Sequence, residues 1–526
     1  MSIDGLVSGL DTTSIISQLM QVERQPQVIM QSRQDAMKGQ LDAYGSVGSK
    51  LDAVASAATA LQRSGGWALR TATSTVPSVA TASVSDGAAM GSLSFTVDQL
   101  AVAHGLATAT DVAATTDVIA SGGSVTLTTG GTPTAIPVGG GTLAEVVDAI
   151  NASGLGVRAA TVNTGAGYRL QLTSTGTGAA SAFTLTGLDP GVGGTVVTST
   201  GADARISMGT GPGAYAVTSS SNSFADLMPG VTVTVTATSA TPVVVTVGAD
   251  ASALANKVAA LADAVNGALS EIATRTAYDP KTNRAASLTG DSTVTRLKQD
   301  LVRAVLDPVG TGTSSGATVG LSVDRYGKVT FDKGKFAAAF AADPAGIQAL
   351  FAQGGTASAG VTFVGAGDRT RGGTYDVAVT TAPAPGVDVV GTIDGVAAVG
   401  QGDLLTLPSD ASGAAAGLVV RIAGLGAGGT GTVTYTPGIA QRLASVVVNA
   451  TDSSTGYLTS TKTAKQSSVD DLQRSIDSFE QRMTLRQAAL KKQYAALEVA
   501  LGNLRNQSNW LAGQLGSLSA NSGSGS

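Results

Sequence analysis

Apolar residues recur at sevens towards the C-terminus: Val469, Ile476, Met483, Leu490, Leu497, Leu504, Leu511 and Leu518. Leu472 and Phe479 supply a second apolar position early on, and Tyr494, Leu501 and Leu515 follow their partners by four residues. This spacing predicts a long helix with one adhesive stripe, and about fifty helical residues would reach about 75 Å. Polar residues take the second seam position at Arg486, Gln493 and Gln507, so the stripe is imperfect as a two-stranded zipper. At the other end, Asp11 can cap a helix carrying Ile15, Leu19 and Val22, which Pro26 interrupts. Met30, Met37, Tyr44 and Leu51 then recur at sevens, filled in by Leu41, Val47, Val54 and Leu61. Amphipathic helices at both ends imply pairing with each other or with copies of the chain.

Between about Ala68 and Val247 the period becomes two, as in Ser92–Val97, Tyr168–Thr173 and Val231–Thr236. Glycine clusters mark the turns, and one helix carries Leu143, Val146, Val147 and Ile150. Leu254, Val258, Leu261, Val265, Leu269 and Ile272 predict a helix from Ala251 to about Ala273. A second helix, capped by Asp291, runs to about Leu306. A hairpin turning near Tyr326-Gly327 follows, then a short helix with Ile347, Leu350 and Phe351. From about Gly354 to Pro437 the chain is again β-rich, and Gly373–Val379 echoes Gly91–Val97. The fold class expected is α+β multidomain: a discontinuous helical trunk with terminal coiled-coil-like helices and inserted β-rich head domains. The segments are 1–67 (helical leg and start of trunk), 68–248 (β-rich head), 249–353 (helical trunk with hairpin), 354–437 (second β-module) and 438–526 (trunk and coiled-coil leg).

Composition narrows the chemistry. The chain has 68 glycines, 4 % aromatic and 13 % charged residues, which suits turn-rich β-modules and Ala-rich helices. A formal net charge of −5 without a basic block argues against nucleic acid as a partner. The apolar run Phe336–Ala342 is far too short to span a membrane. The opening Met1-Ser-Ile-Asp-Gly-Leu has no basic region, apolar run and cleavage site, so no cleaved signal peptide is expected. The absence of cysteine forbids disulfides; it fits export of an unfolded chain and cytosolic residence alike.

No catalytic constellation emerges. His104 is the single histidine and reads as an ordinary packed residue. Gly209-Thr-Gly-Pro-Gly reads as a turn, since no Lys-Ser or Lys-Thr follows it as in a phosphate loop. Asp470-Asp471 reads as a favourable pair near a helix start. There is no EF-hand spacing and no glycine-aspartate nonapeptide repeat, so no structural metal is expected; without a catalytic constellation, no cofactor or enzymatic activity is expected either.

The opening stretch from Gly5 to Pro26 combines Leu6, Gly9, Leu10, Asp11, Ser14, Ile15, Leu19, Met20, Glu23 and Pro26 without a gap. It resembles the N-terminal signature of flagellar filament cap proteins, the hook-associated protein 2 (FliD) family. Three further segments agree, in the expected chain order: Thr142–Ala152 with Gly167–Ser174 is similar to a motif shared by flagellin and cap-protein heads, Phe224–Val235 to the family's strand after the head domain, and Gly320–Asp332 with Asp343-Pro344 and Leu350-Phe351 to its C-terminal region. Residues 355–437 depart from the shorter members.

The resemblance implies a secreted protein at the flagellum tip, exported unfolded by the flagellar type III route. It implies a small homo-oligomeric ring that promotes flagellin folding and polymerisation. Flagellin, hook-filament junction proteins, a cytoplasmic export chaperone and, for the heads, host surface glycans are the implied partners. The expected assembly interface comprises Leu6, Leu10, Ile15, Leu19, Met483, Leu490, Leu497, Leu504 and Leu511. On periodicity alone an intramolecular bundle explains the stripes as well as subunit packing does, and both can hold for different stretches. A surface adhesin and an axial junction protein remain as alternative functions.

Overall fold

The computed structural model describes residues 11–310 and 315–521. Its helices there are α1 (Thr12–Glu23), α2 (Gln25–Gln62), α3 (Leu143–Ala152), α4 (Ala251–Thr276), α5 (Ser292–Leu306), α6 (Lys333–Ala342), α7 (Pro344–Phe351), α8 (Ile439–Thr451) and α9 (Tyr457–Asn521). Antiparallel sheets fill the rest, so the fold is α+β and multidomain. Two units separate: one holds the chain up to Arg63 and from Ala255 onwards, the other Ser64–Leu254.

The Ser64–Leu254 unit contains two cores. In the first, a five-stranded sheet runs Arg70–Ser74, Ser239–Ala249, Gly91–Gln99, Ala204–Met208, Tyr215–Ser219 in spatial order. A three-stranded sheet of Ser223–Met228, Val231–Val235 and Ala80–Val84 joins it in one core. Alternation sends Phe95, Val97, Ile206, Val233 and Val245 into that core. The second core lies between the sheet built on Ala103–Thr108 and Tyr168–Thr177, the smaller one built on Ser124–Thr129, and α3. Thr142 and Glu145 form a capping box at the start of α3, and its Leu143, Val146 and Ile150 are fully buried. His104 is packed in this region: its Nδ1 accepts from the Gly201 amide at 3.3 Å, and its ring meets Phe183 edge-on.

In the other unit, α2 lies against α8 and α9, and α5 lies against α8. Of the apolar series on α2, Tyr44, Val47, Leu51, Val54 and Leu61 are fully buried, while Met30, Met37 and Leu41 in its first half are half-buried. The Tyr44 hydroxyl donates to Asp291, whose other oxygen caps α5 by accepting from the Thr293 and Val294 amides. Asn266 on α4 holds the hairpin Leu321–Val323/Val329–Phe331 by bonding both backbone groups of Val329 at 2.8 Å.

Between α7 and α8 the chain makes one antiparallel sheet of eight strands. Their order is Gln353–Ala357, Thr430–Pro437, Gly373–Thr381, Val390–Ile393, Val396–Gln401, Leu404–Thr406, Val419–Ile422, Val361–Gly365. Its apolar face gathers Tyr375, Val377, Ile393, Leu405, Val420 and Val433.

Two local expectations are corrected. The break between the first two helices falls at Arg24, and Pro26 sits in the first turn of α2, where its missing N–H costs nothing. Asp470 and Asp471 lie well inside α9, which starts at Tyr457. Asp470 accepts from Gln466, and Asp471 pairs with Arg474 one turn on, so neither serves a helix terminus.

Candidate assembly surface

The surface is the stripe on α9 and whatever covers it. Asp11 Oδ1 accepts from the Ser14 amide at 2.9 Å and starts α1, as the capping pattern requires. α1 and the first half of α2 then run antiparallel to α9. Lys465 Nζ donates to Gln40 Oε1 at 2.8 Å, Gln34 Nε2 to Gln473 Oε1 at 2.8 Å, and Arg486 lies 3.2 Å from Glu23. Beyond these, Ile16 and Met20 form a small buried cluster with Leu490, against which Met483 and Tyr494 pack.

The stripe changes character along its length. Val469, Ile476 and Leu490 are buried, whereas Leu497, Leu504 and Leu511 on the same face are 47, 60 and 53 % exposed. Leu515 and Trp510 are exposed beside them. The change falls where α1 begins. Of the residues named from the sequence, Met483 and Leu490 are brought together with α1, and Ile15 is half-buried. Leu19 is exposed, as are Leu497, Leu504 and Leu511. Leu6, Leu10 and the side chain of Leu518 lie outside the described residues.

Periodicity points to Ile15 with Leu19 on α1; the face packed against α9 within the chain carries Ile16 with Met20, which leaves Leu19 exposed. Both pairs have the same four-residue spacing, so periodicity alone cannot separate them. It also passed over the buried glutamines Gln27 and Gln34. Their signal was present: they stand at sevens with Leu41, in the seam. Gln34 is satisfied by the Val469 carbonyl, Gln473 and Lys38, which makes that seam hydrogen-bonded where an apolar pair would be greasy. Arg486, read as a weak point, is the partner of Glu23; at about half exposure such a pair contributes roughly 0–1 kcal/mol.

Among the described residues no group of three or more His, Asp or Glu is placed to hold a metal ion, and no helix is long and apolar enough to cross a membrane.

The family described as "Flagellar hook-associated protein 2 C-terminus" matches residues 201–506, more than half of the chain, and its N-terminal counterpart matches 8–104. The chain belongs to the flagellar hook-associated protein 2 family, the flagellar cap proteins. Residues 124–176, which contain α3, match the flagellin hook IN motif. The flagellar hook-associated protein 2 of Escherichia coli K12 is 28 % identical over 391 residues, covering 69 % of this chain and 82 % of that protein. The crystal structure of the D1–D3 domains of the E. coli flagellar cap protein FliD is 26 % identical, with a TM-score of 0.46. It covers 59 % of this chain and 90 % of that one. In this member of the family the α1–α9 seam thus belongs to a structural, flagellar component.

Proposed function

We propose that this cap protein forms a small homo-oligomeric ring at the distal end of the flagellar filament and promotes the folding and polymerisation of flagellin there. One observation carries the reading: Val469, Ile476 and Leu490 of the α9 stripe are buried, whereas Leu497, Leu504 and Leu511 at the following sevens are exposed. A helix with an uncovered apolar residue every seventh position binds a partner helix. The polar seam positions Gln493 and Gln507 weaken each such contact, so that single legs release while several legs together hold by avidity. Segments 1–67, 249–353 and 438–526 act as trunk and legs, and 68–248 and 354–437 as outer heads. The assembly residues are those of the stripe, Leu497, Leu504 and Leu511, with Leu6, Leu10, Ile15 and Leu19 from the other end and Met483 and Leu490 at the base. Junction proteins and an export chaperone are further partners, and export follows the flagellar type III route. Host surface glycans are a partner of the heads only.

The test is electron microscopy and motility of cells lacking the chain, with purified protein added back. Short or absent filaments, flagellin leaking into the medium and rescue by added protein support the reading. Normal filaments with lost surface attachment would sink it in favour of an adhesin.

A further inference from the structure

Where the eight-stranded sheet meets the helices, a cleft of about 780 Å³ opens between α5, α8, the start of α9 and the loops around residues 368–372 and 409–416. Its charge runs against that of the chain. The whole protein carries 32 Lys and Arg against 37 Asp and Glu, yet this lining holds five arginines and three aspartates.

The partners of these groups leave positive charge over. Arg296 lies 3.6 Å from Asp300 and stacks on Tyr457 with its guanidinium carbon 5.4 Å from the ring centre. Arg369 is paired with Asp452 at 2.7 Å, outside the lining. Asp368 accepts from the amides of Gln441 at 3.1 Å and Gln62 at 3.5 Å. Arg442 spends its outer nitrogens on the backbone carbonyls of Asp307 and Pro308, so no carboxylate neutralises it within ion-pair distance among the described residues. Its Nε is buried without a hydrogen-bond partner, and burial pulls its pKa below the usual arginine value, with Asp307 opposing. Arg303 and Arg371 are exposed and make no ion pair among the described residues.

We infer that this cleft is a docking site for an acidic segment of a neighbouring polypeptide, with carboxylates of that segment pairing with Arg303 and Arg371. A guanidinium presents its donors as a planar fork that matches a carboxylate. Arginines framed by a tyrosine are the composition of energetically dominant interface sites. The cleft has the size of a site for several residues, and a single inorganic anion would leave most of it filled with water. Anchoring here joins the outer sheet and the helices to one partner. The inference stands apart from the capping role, because the cleft and its charge belong to the isolated chain.

The experiment is fluorescence anisotropy of a fluorescein-labelled glutamate-rich peptide titrated with the full chain at low and high salt. Saturable binding that weakens with salt is expected, with a loss of about tenfold or more in the double variant Arg303→Ser/Arg371→Ser. The variant Arg158→Ser, in the other unit, should bind as the parent does. Both substituted side chains lack ion pairs, so the double variant should keep the parent's circular dichroism and melting temperature. A lysine-rich peptide should bind only the charge-reversed Arg303→Glu/Arg371→Glu chain. Equal peptide binding by parent and double variant would overturn the inference. So would saturation by inorganic phosphate or citrate with no peptide binding, which would assign the cleft to a small anion.

Discussion

Tyr44 and Asp291 are joined across 247 positions of sequence: the tyrosine hydroxyl donates to one carboxylate oxygen while the other caps α5. Burial, reinforced by the adjacent carboxylate, pushes the Tyr44 phenol well above its usual pKa, so it remains a donor across the whole physiological range. One side chain thereby fixes both the position of α5 against α2 and the geometry of its cap. Tyr44→Phe removes a hydrogen bond to a charged acceptor and should cost about 1.5–3 kcal/mol. Urea unfolding that showed no loss would mean that the cap alone holds Asp291.

Asp452 anchors the start of α9. Its carboxylate accepts from the Thr455 amide, the Ser454 hydroxyl, the Arg369 guanidinium and the Ser454 amide, and these hold it well below the ordinary carboxylate range. A depressed pKa contributes stability above the unfolded value of about 4, and that stability is lost as pH falls through the lower folded value. Amide protection at residues 454–460, the slowing of exchange relative to unstructured peptide at the same pH, should therefore fall in acid below about pH 4. Asp452→Asn should show low protection already at neutral pH, with the acid-induced loss removed.

Two leucines one heptad apart should behave oppositely in the isolated chain. Leu490→Ala opens the buried cluster with Ile16 and Met20 and should destabilise the α1 seam by about 2–3 kcal/mol. Leu497→Ala, at an exposed position, should change unfolding by no more than about 0.5 kcal/mol. Denaturation of the two single variants checks this; a comparable loss at Leu497 would show that the stripe is covered within the chain.

Gly438 is the N-cap of α8 and needs no left-handed backbone, its φ being −73°. What it needs is room, since a Cβ there would collide with the carbonyl oxygens of Phe351 and Ala352. Gly438→Ala should cost about 1–3 kcal/mol because rigid backbone has to move, a loss that thermal melting reads directly.

Elements whose signal is local were legible in the sequence. The caps at Asp11 and Asp291, the hairpin around Gly327 and the amphipathic face of α3 each follow from a few adjacent side chains. The heptads announced α9 but started it late, because Tyr457–Ser468 is Thr- and Ser-rich and carries little apolar periodicity. Partners across the fold were not legible. Gln34 reads as a surface residue until Val469 and Gln473 are seen against it, and the arginine cleft draws on four separate stretches of chain. The choice between Ile15 and Ile16 depends on the pitch at which α1 meets α9, a property of the pair and of neither helix alone.

The trunk contacts also bear on the order in which the molecule can assemble. Gln34 meets Gln473 across 439 positions, and Gln40 meets Lys465 across 425. Each β-rich region, by contrast, is closed by strands of one contiguous stretch. Loop-closure entropy makes distant pairings late and local ones early. Both β-rich regions can therefore complete their sheets before the two ends of the chain meet. The helical seam closes last, because Gln34 and Gln40 near one end need Gln473 and Lys465 near the other before it can form.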